Sequence, residues 1–138
     1  MPNLQIKFNG SAPLPGGVTM SLTYQNLAGQ EIRADYQATT AEVATSLGRP
    51  LSGGAKTVSI PIIPSYSQFE PRRTELDLRL GKSIKIGGVR RLQANLDVYN
   101  IFNSNSVLLR TDTYGPSWGN ATSFLPGRMM QLGATLTF

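Results

Sequence analysis

The 138-residue sequence contains no cysteine and no histidine. Without cysteine the chain forms no disulfide, carries no thiol nucleophile and has no ligands for a cysteine-bound zinc ion. Without histidine it also lacks the commonest general base and the commonest metal ligand of proteins. These two absences exclude most familiar enzyme classes, so we expect a protein that is not an enzyme and that uses no cofactor.

Charged residues and long apolar runs are also scarce. Only 15% of the residues are charged, and no run approaches the roughly 20 apolar residues of a membrane-spanning helix. No secretory signal peptide is visible at the N-terminus. By contrast, 14 glycines and 9 prolines indicate a turn-rich chain. This composition favours a β protein, and a net charge of +5 permits an acidic partner without selecting one.

What the sequence does contain is strict alternation of apolar and polar residues in five segments. These segments lie near residues 3–12, 17–28, 73–86, 90–102 and 127–138. A period of two predicts strands that have one apolar and one polar face. The predicted strands have about 9–11 residues, the length of a tilted membrane strand, whereas a usual globular strand has about 5–6.

The connections between the predicted strands alternate between short and long. Two Gly-containing turns are short, whereas residues 27–73 and 103–127 form long segments. This alternation is typical of outer-membrane barrels, and a compact soluble domain seldom contains such loops. Within the first long segment, residues 40–48 predict a short helical turn with a threonine cap and a terminal glycine. Residues 56–60 predict a short strand, and residues 30–37 predict an extension of the second strand.

The apolar faces of these strands allow two interpretations. In a soluble β-sandwich or open-barrel module that binds polyanions, the apolar faces pack together and the polar faces meet water. In a membrane barrel, the apolar faces meet lipid and the polar faces line a wet lumen. The strand lengths, the alternating loops and the C-terminal pattern favour the membrane barrel.

The C-terminal pattern is an unbroken alternation that ends in an aromatic residue. Its apolar positions are Met130, Leu132, Ala134, Leu136 and Phe138. Outer-membrane barrel proteins present such a final strand to the barrel-assembly machinery, which pairs with it by β-augmentation. We therefore interpret these five residues as a candidate C-terminal assembly signal.

Five stretches carry a resemblance to a known family. They are residues 74–82, 96–103, 113–118, 125–128 and 132–138. The more specific parts are Asp-Val-Tyr-Asn-Ile-Phe-Asn and Pro-Gly-Arg, in the second and fourth stretches. Together they resemble the C-terminal barrel region of TonB-dependent outer-membrane receptors, notably those with an N-terminal carboxypeptidase-regulatory-like domain. The resemblance implies a barrel of approximately 22 strands, filled by a plug domain, that imports a scarce nutrient with energy from the inner membrane.

The resemblance makes the expected fold class all-β, with antiparallel up-and-down strands forming part of a transmembrane β-barrel. Two long extracellular loops and a location in the bacterial outer membrane are expected with it. Residues 1–138 contain no plug domain and only about five strands, so we expect the C-terminal fragment of a longer receptor. The implied partners are outer-membrane lipid and lipopolysaccharide, the plug and upstream strands, and through them TonB.

Polar residues on neighbouring strands form a candidate lumen cluster. Its members are Glu75, Asp77, Arg79, Asn95 and Asp97. The cluster either binds cargo or holds the plug, or it is a solvated ion-pair network that stabilises the barrel wall. We favour the ion-pair network.

Basic residues are concentrated in one part of the chain. Over half of the positive charges belong to Arg72, Arg73, Arg79, Lys82, Lys85, Arg90 and Arg91. A surface that binds nucleic acid would need aromatic side chains interleaved with these cations for base stacking. Residues 72–91 contain no aromatic side chain, so no nucleic-acid partner is expected. Residues 82–91 instead predict a periplasmic turn at the membrane edge, and residues 72–73 a rim that faces lipopolysaccharide.

The aromatic residues form two groups. Four of them lie near the ends of predicted strands and predict an aromatic girdle at the membrane interfaces, namely Tyr24, Tyr99, Phe102 and Phe138. Tyr99 is an exception in one respect, because the alternation of its strand places it on the polar face. In the second long segment lies a candidate cargo-contact loop, with loop packing as the alternative. It consists of Tyr114, Trp118 and Phe124.

Overall fold

The computed structural model describes residues 4–138. Asn3, the first residue of the first predicted strand, lies outside the described residues, as does Met1. In chain order the elements are β1 (Ile6–Leu14), β2 (Val18–Leu27), β3 (Asp35–Thr39), α1 (Thr40–Leu47), β4 (Thr57–Pro61), β5 (Arg73–Lys85), β6 (Arg91–Tyr99), β7 (Val107–Arg110), β8 (Ala121–Phe124) and β9 (Met129–Thr137). A short 3₁₀ turn, Ser52–Gly54, precedes β4. The predicted all-β class and the antiparallel arrangement are confirmed.

The chain divides into two compact units. The first consists of Met1–Ala28, Arg72–Ser106 and Leu125–Phe138, and the second of Gly29–Pro71 and Val107–Phe124. The first unit therefore contains all five segments in which alternation predicts a strand. The second unit is built from the two long segments between those strands.

The first unit is a five-stranded antiparallel sheet in the spatial order β1-β2-β5-β6-β9. One transverse row of paired residues is entirely apolar, and it consists of Ala12, Met20, Leu80, Leu96 and Leu132. The next row is polar, and it consists of Ser11, Ser21, Arg79, Asp97 and Gln131. Since paired residues share a face and successive residues alternate, the sheet has one apolar face and one polar face. Among residues 4–138 the sheet does not close into a barrel, because β1 and β9 each pair on one side only.

Tight turns join two pairs of neighbouring strands in this sheet, β1 with β2 and β5 with β6. Gly16 (φ 80°) and Gly17 (φ 72°) connect β1 to β2, and Gly87 (φ 82°) and Gly88 (φ 55°) lie between β5 and β6. The pairs Leu14–Val18 and Lys85–Arg91 leave three residues (15–17) and five residues (86–90) between the strands, and glycine adopts the positive φ of such short connections without steric cost. These glycines therefore set the register that aligns the apolar rows.

The second unit contains two small antiparallel sheets, β3 with β4 and β7 with β8. Asp35 links the two parts of this unit, because its N–H donates to Asp112 O at 2.8 Å and its carbonyl accepts from Tyr114 N at 2.9 Å. The predicted helical turn and the predicted short strand are present as α1 and β4. The hairpin of β7 and β8 was not predicted, and its pairing is irregular, with register shifts on both sides of Leu109.

The predicted extension of the second strand over residues 30–37 is present only as an isolated antiparallel bridge between Glu31 and Phe69. β2 ends at Leu27, and residues 35–39 form β3 in a separate sheet. The regular ladder is interrupted at Gly29, where the two backbones come so close that a Cβ would be 2.0 Å from Glu70 O and 2.6 Å from Pro71 O. Beyond this close approach, Glu70 N donates to Gln30 O at 2.8 Å. Residues 30–32 therefore pair with residues 68–70 in the same register as β2 and β5, after an interruption, and only residues 35–39 join a different sheet.

The helix α1 begins at a capping box. Its N-cap is Thr39, one residue before the predicted start, and the Thr39 hydroxyl accepts from Glu42 N. In return the Glu42 carboxylate accepts from Thr39 N at 2.6 Å. Gly48 ends the helix in the left-handed conformation, and its N–H donates to Ala44 O.

We expect Thr39→Ala to destabilise α1 by about 1 kcal/mol, because the N-cap acceptor is lost. Hydrogen exchange at the Gly48 amide, which closes the last turn of the helix, measures the effect. Thr45→Ala is the control, since Thr45 lies within the same helix and is exposed. Equal exchange rates in the two variants would contradict the capping role.

Candidate functional site

The apolar face of the five-stranded sheet lacks a buried core. Within the described part of the chain the buried residues are Ala34, Ala38, Asp97, Asn100 and Leu125, and none of them lies on that face. Leu132 is 82% exposed and Met130 is 67% exposed. In a soluble β-sandwich, such rows would be the most buried part of the protein.

The most buried side chain of the sheet is a carboxylate on the polar face. Asp97 is 6% exposed and forms a bidentate ion pair with Arg79, with Nε–Oδ1 and Nη2–Oδ2 distances of 2.5 and 3.0 Å. The two residues are direct cross-strand partners on β6 and β5. A two-point pair of this kind holds both side chains in a defined orientation.

Asn100 joins the end of β6 to the segment before β9. It has a φ of 49°, and its N–H donates to Asp77 Oδ1 at 2.8 Å. Its side-chain amide donates to Ser104 O at 2.9 Å and to Pro126 O at 2.8 Å, while its Oδ1 accepts from Ser104 N. A second asparagine adds to this junction, because Asn103 Oδ1 accepts from Arg128 N at 2.9 Å. The Asp-Val-Tyr-Asn-Ile-Phe-Asn motif and the Pro-Gly-Arg motif are therefore joined by hydrogen bonds.

The predicted lumen cluster lies on one face, but it divides into separate contacts. Arg79 pairs with Asp97, Asp77 accepts from Asn100, and Glu75 lies 3.4 Å from Arg73 Nε. Asn95 lies beside Gly81, where a Cβ would be 3.0 Å from Asn95 Oδ1. A shallow open depression on this face is lined by Ser21, Thr23, Asp77, Leu78, Arg79, Asp97 and Tyr99. The arrangement provides ion pairs and hydrogen-bonding groups, and no group of metal-binding side chains is found in residues 4–138.

Three aromatic side chains meet in the second unit. The ring centroids of Tyr36 and Tyr114 are 6.4 Å apart at 67°, and those of Tyr114 and Trp118 are 6.1 Å apart at 49°. Hydrogen bonds fix the polar ends of two rings, because Tyr36 OH donates to Glu42 Oε1 at 2.7 Å and Trp118 Nε1 donates to Arg33 O at 2.8 Å. We call Tyr36, Tyr114 and Trp118 the aromatic cluster.

The aromatic cluster differs from the predicted cargo-contact loop by one residue. Tyr114 and Trp118 belong to it, whereas Phe124 lies on β8 as the cross-strand partner of Val107. Tyr36 was missed because it is far from Tyr114 in the sequence. The bridge between Asp35 and Thr113 brings Tyr36 and Tyr114 together. No local sequence pattern predicts this bridge. The three rings are 37%, 53% and 37% exposed, so a ligand can reach them.

The contacts of Glu42 with Thr39 and Tyr36 shift the pKa values of Glu42 and Tyr36. The Thr39 backbone N–H, and then the Tyr36 hydroxyl, hold the pKa of Glu42 below its ordinary value. The stability from this carboxylate is therefore present above its unfolded-state pKa and is lost as the pH falls through the lowered one. The same carboxylate raises the pKa of Tyr36, whose contribution is lost as the pH rises through that raised value.

We therefore expect α1 and the position of Tyr36 to be most stable between these two transitions. An NMR titration of the Glu42 carboxyl, with exchange at the Gly48 amide, checks this. Glu42→Gln is the control, because it removes the acidic transition. A Glu42 pKa at its ordinary value, with no acid-dependent exchange, would show the prediction to be wrong.

The candidate assembly signal occupies an edge strand. Met130, Leu132, Ala134 and Leu136 share the apolar face of β9, which pairs with β6, and Phe138 follows the strand at 89% exposure. The second edge of β9 has no partner among residues 4–138. An edge strand presents unpaired backbone groups to which a further strand can bind.

The predicted girdle and rim residues have mixed environments. Tyr24 lies on the apolar face between Phe8 and Leu76, whereas Tyr99 lies on the polar face. Phe102 follows β6 and is 54% exposed. At the predicted rim, Arg72 Nε donates to Asn26 Oδ1 at 2.7 Å.

Comparisons of this chain with protein-family models, with curated proteins and with solved structures each found no match. In the described range, no helix is long and apolar enough to cross a membrane.

Proposed function

We propose that this chain is a wall segment of an outer-membrane receptor barrel that takes up a scarce nutrient in a TonB-dependent manner. One observation carries the proposal, namely an apolar face that runs in register across five strands and is not buried. Lipid is the solvent in which such a face is stable. The TonB dependence rests on the resemblance of the five sequence stretches to that receptor family.

The two faces of the sheet support this proposal together. A barrel wall has apolar residues outside and polar residues inside, so its interior groups must be satisfied by one another or by water. The Arg79–Asp97 pair and the Asp77–Asn100 hydrogen bond are such contacts. On this proposal the polar-face cluster is a wall-stabilising network.

The direction of the strands supports a larger barrel. Successive strands of this antiparallel sheet alternate in direction, so β1 and β9 run the same way. The two edges therefore do not pair with each other in an antiparallel barrel, and further strands have to close the wall. The remainder of the receptor barrel would supply those strands, and the plug would fill the lumen that they enclose.

The two long connections would be the extracellular loops. They form the second unit, which carries the aromatic cluster, and we assign cargo contact to Tyr36, Tyr114 and Trp118. Rings whose polar ends are held by hydrogen bonds are already ordered before a ligand arrives, which lowers the entropic cost of binding.

An antibody against this chain tests the proposal in cells of the source bacterium. We expect the antigen in the outer-membrane fraction, resistant to extraction with alkaline carbonate, and in a polypeptide much larger than 14.9 kDa. A soluble antigen of 14.9 kDa, monomeric without detergent, would overturn the proposal and leave the soluble polyanion-binding module.

A further inference from the structure

One end of the five-stranded sheet carries four cations and no acidic side chain. We call them the basic turn, and they are Lys82, Lys85, Arg90 and Arg91, all of them exposed. The acidic side chains of this unit lie toward the opposite end. Asp97 is six residues along β6 from Arg91, which at about 3.3 Å per residue is about 20 Å.

Two of these cations face each other directly. Lys85 and Arg91 are cross-strand partners with the parity of the polar face, at the last residue pair of β5 and β6 before the turn, and like charges in that position are destabilising. Among residues 4–138, including the terminal carboxylate, no anion lies within 4.0 Å of any cation of the basic turn. An external anion that binds here would relieve the repulsion.

Exposed apolar side chains are interleaved with the cations. Ile84 is 42% exposed, Ile86 is 51% exposed and Val89 is 88% exposed. A free phosphate or a nucleic-acid backbone would leave these side chains in water. An anionic lipid offers a phosphate to the cations and an acyl chain to the apolar side chains.

Lys82 has the position of a residue at a membrane boundary. It lies on the apolar face, in the row of Val18 and Ala94. A lysine there can lay its methylene stem along apolar surface and bring its ammonium group to the headgroup layer. A purely aqueous role gives no reason for a charge on this face.

We propose that the basic turn binds the phosphate groups of anionic lipid headgroups at one surface of the bilayer. Ile86 and Val89 enter the boundary between headgroups and acyl chains. The inference rests on the proposed function, because that function places the apolar face of the sheet in lipid.

Vesicles of two compositions test this inference. The chain is refolded with neutral phosphatidylcholine vesicles, or with vesicles in which about a third of the lipid is phosphatidylglycerol, and the bound fraction is measured by flotation. The test variant changes all four cations of the basic turn to glutamine. A control variant removes the same charge from exposed residues elsewhere, namely Lys7→Gln, Arg49→Gln, Lys56→Gln and Arg128→Gln.

We expect the original chain and the control variant to bind anionic vesicles at least about tenfold more tightly than neutral ones, since each basic residue near the surface contributes about fivefold. The test variant should lose most of this preference while binding neutral vesicles unchanged. The preference should also weaken at high salt. Replacing chloride with inorganic phosphate at equal ionic strength should have no further effect.

Protease protection of the bound chain separates the two proposals. Insertion without a headgroup preference, or a preference lost equally in the control variant, would overturn the inference and leave the proposed function standing. Lack of insertion into either lipid, also when the chain is refolded as part of the longer polypeptide that contains it, would count against the barrel wall. Tighter binding of a duplex oligonucleotide than of anionic vesicles, weakened by the test variant, would overturn the lipid assignment.

Discussion

Replacing Leu132 with arginine is expected to lower the equilibrium constant for folding in lipid bilayers by about 30- to 850-fold, measured in the longer polypeptide that contains this chain. This corresponds to the cost of about 2–4 kcal/mol for an arginine at the lipid-facing midplane of a barrel. Leu132 lies near the middle of β9, in the apolar row of Leu80 and Leu96, and is 82% exposed. If lipid covers this face, the charge has no water and no partner.

The adjacent residue provides the matched control. Gln131 lies next to Leu132 on the polar face, with Asp97 as its cross-strand partner. Gln131→Arg introduces the same side chain into the same strand, one residue away, but on the face that we assign to the lumen. We expect it to fold in bilayers nearly as well as the original chain, as measured by urea titration in vesicles.

If the apolar face is in water and not in lipid, Leu132→Arg is expected to have a much smaller effect. An exposed leucine replaced with arginine in water changes stability by about 0.5 kcal/mol or less. Equal equilibrium constants for folding of Leu132→Arg and Gln131→Arg in bilayers would therefore contradict the assignment of the apolar face to lipid. The comparison depends on which face is modified, because both variants carry the same added charge.

The five-stranded sheet could be predicted from the sequence because its signal is local. Each strand alternates strictly, and glycine turns set the hairpin registers. Once two strands are joined by a tight turn, residues such as Leu80 and Leu96 have to share a face. The strands and their two hairpins therefore follow from patterns that extend over about ten residues each, whereas the pairings of β2 with β5 and of β6 with β9 cross the two long segments.

The second unit could be predicted only in pieces. The helix α1 has a local signal, namely a threonine, a glutamate three residues later and a terminal glycine. The pairing that brings Tyr36 to Tyr114 has none, since it depends on a contact between β3 and a segment more than 70 residues away. Long-range pairing of irregular segments leaves no periodic pattern, so the aromatic cluster could not be assembled from the sequence.

The site on the polar face was predicted as a set of residues but not as a set of contacts. Alternation placed Asp77, Arg79 and Asp97 on one face. It did not indicate that Asp77 would bind the backbone of Asn100, because that contact requires the left-handed conformation at Asn100. Asparagine tolerates this conformation better than most residues, which is a physical reason for its place in the motif.

Replacing Gly29 with alanine is expected to destabilise the second unit by about 3 kcal/mol, at the upper end of typical overpacking costs. The added Cβ would lie 2.0 Å from Glu70 O and 2.5 Å from Glu70 C. Both are backbone atoms, so no side-chain rotation relieves the clash. The backbone itself has to move, and the bonds beside it, Glu70 N to Gln30 O and Ile32 N to Gln68 O, have to lengthen or break.

Two measurements and one control check this expectation. Hydrogen exchange at Ile32 and Glu70 should accelerate, and the fluorescence of Trp118, the one tryptophan of the sequence, should change because it lies in the same unit. Gly133→Ala is the control, since a Cβ there meets no atom within 4 Å and the glycine has no positive φ. If Gly29→Ala and Gly133→Ala leave both signals equally unchanged, the backbone of residues 29–32 does not pass against residues 68–71. The physical reason given for the end of β2 would then be wrong.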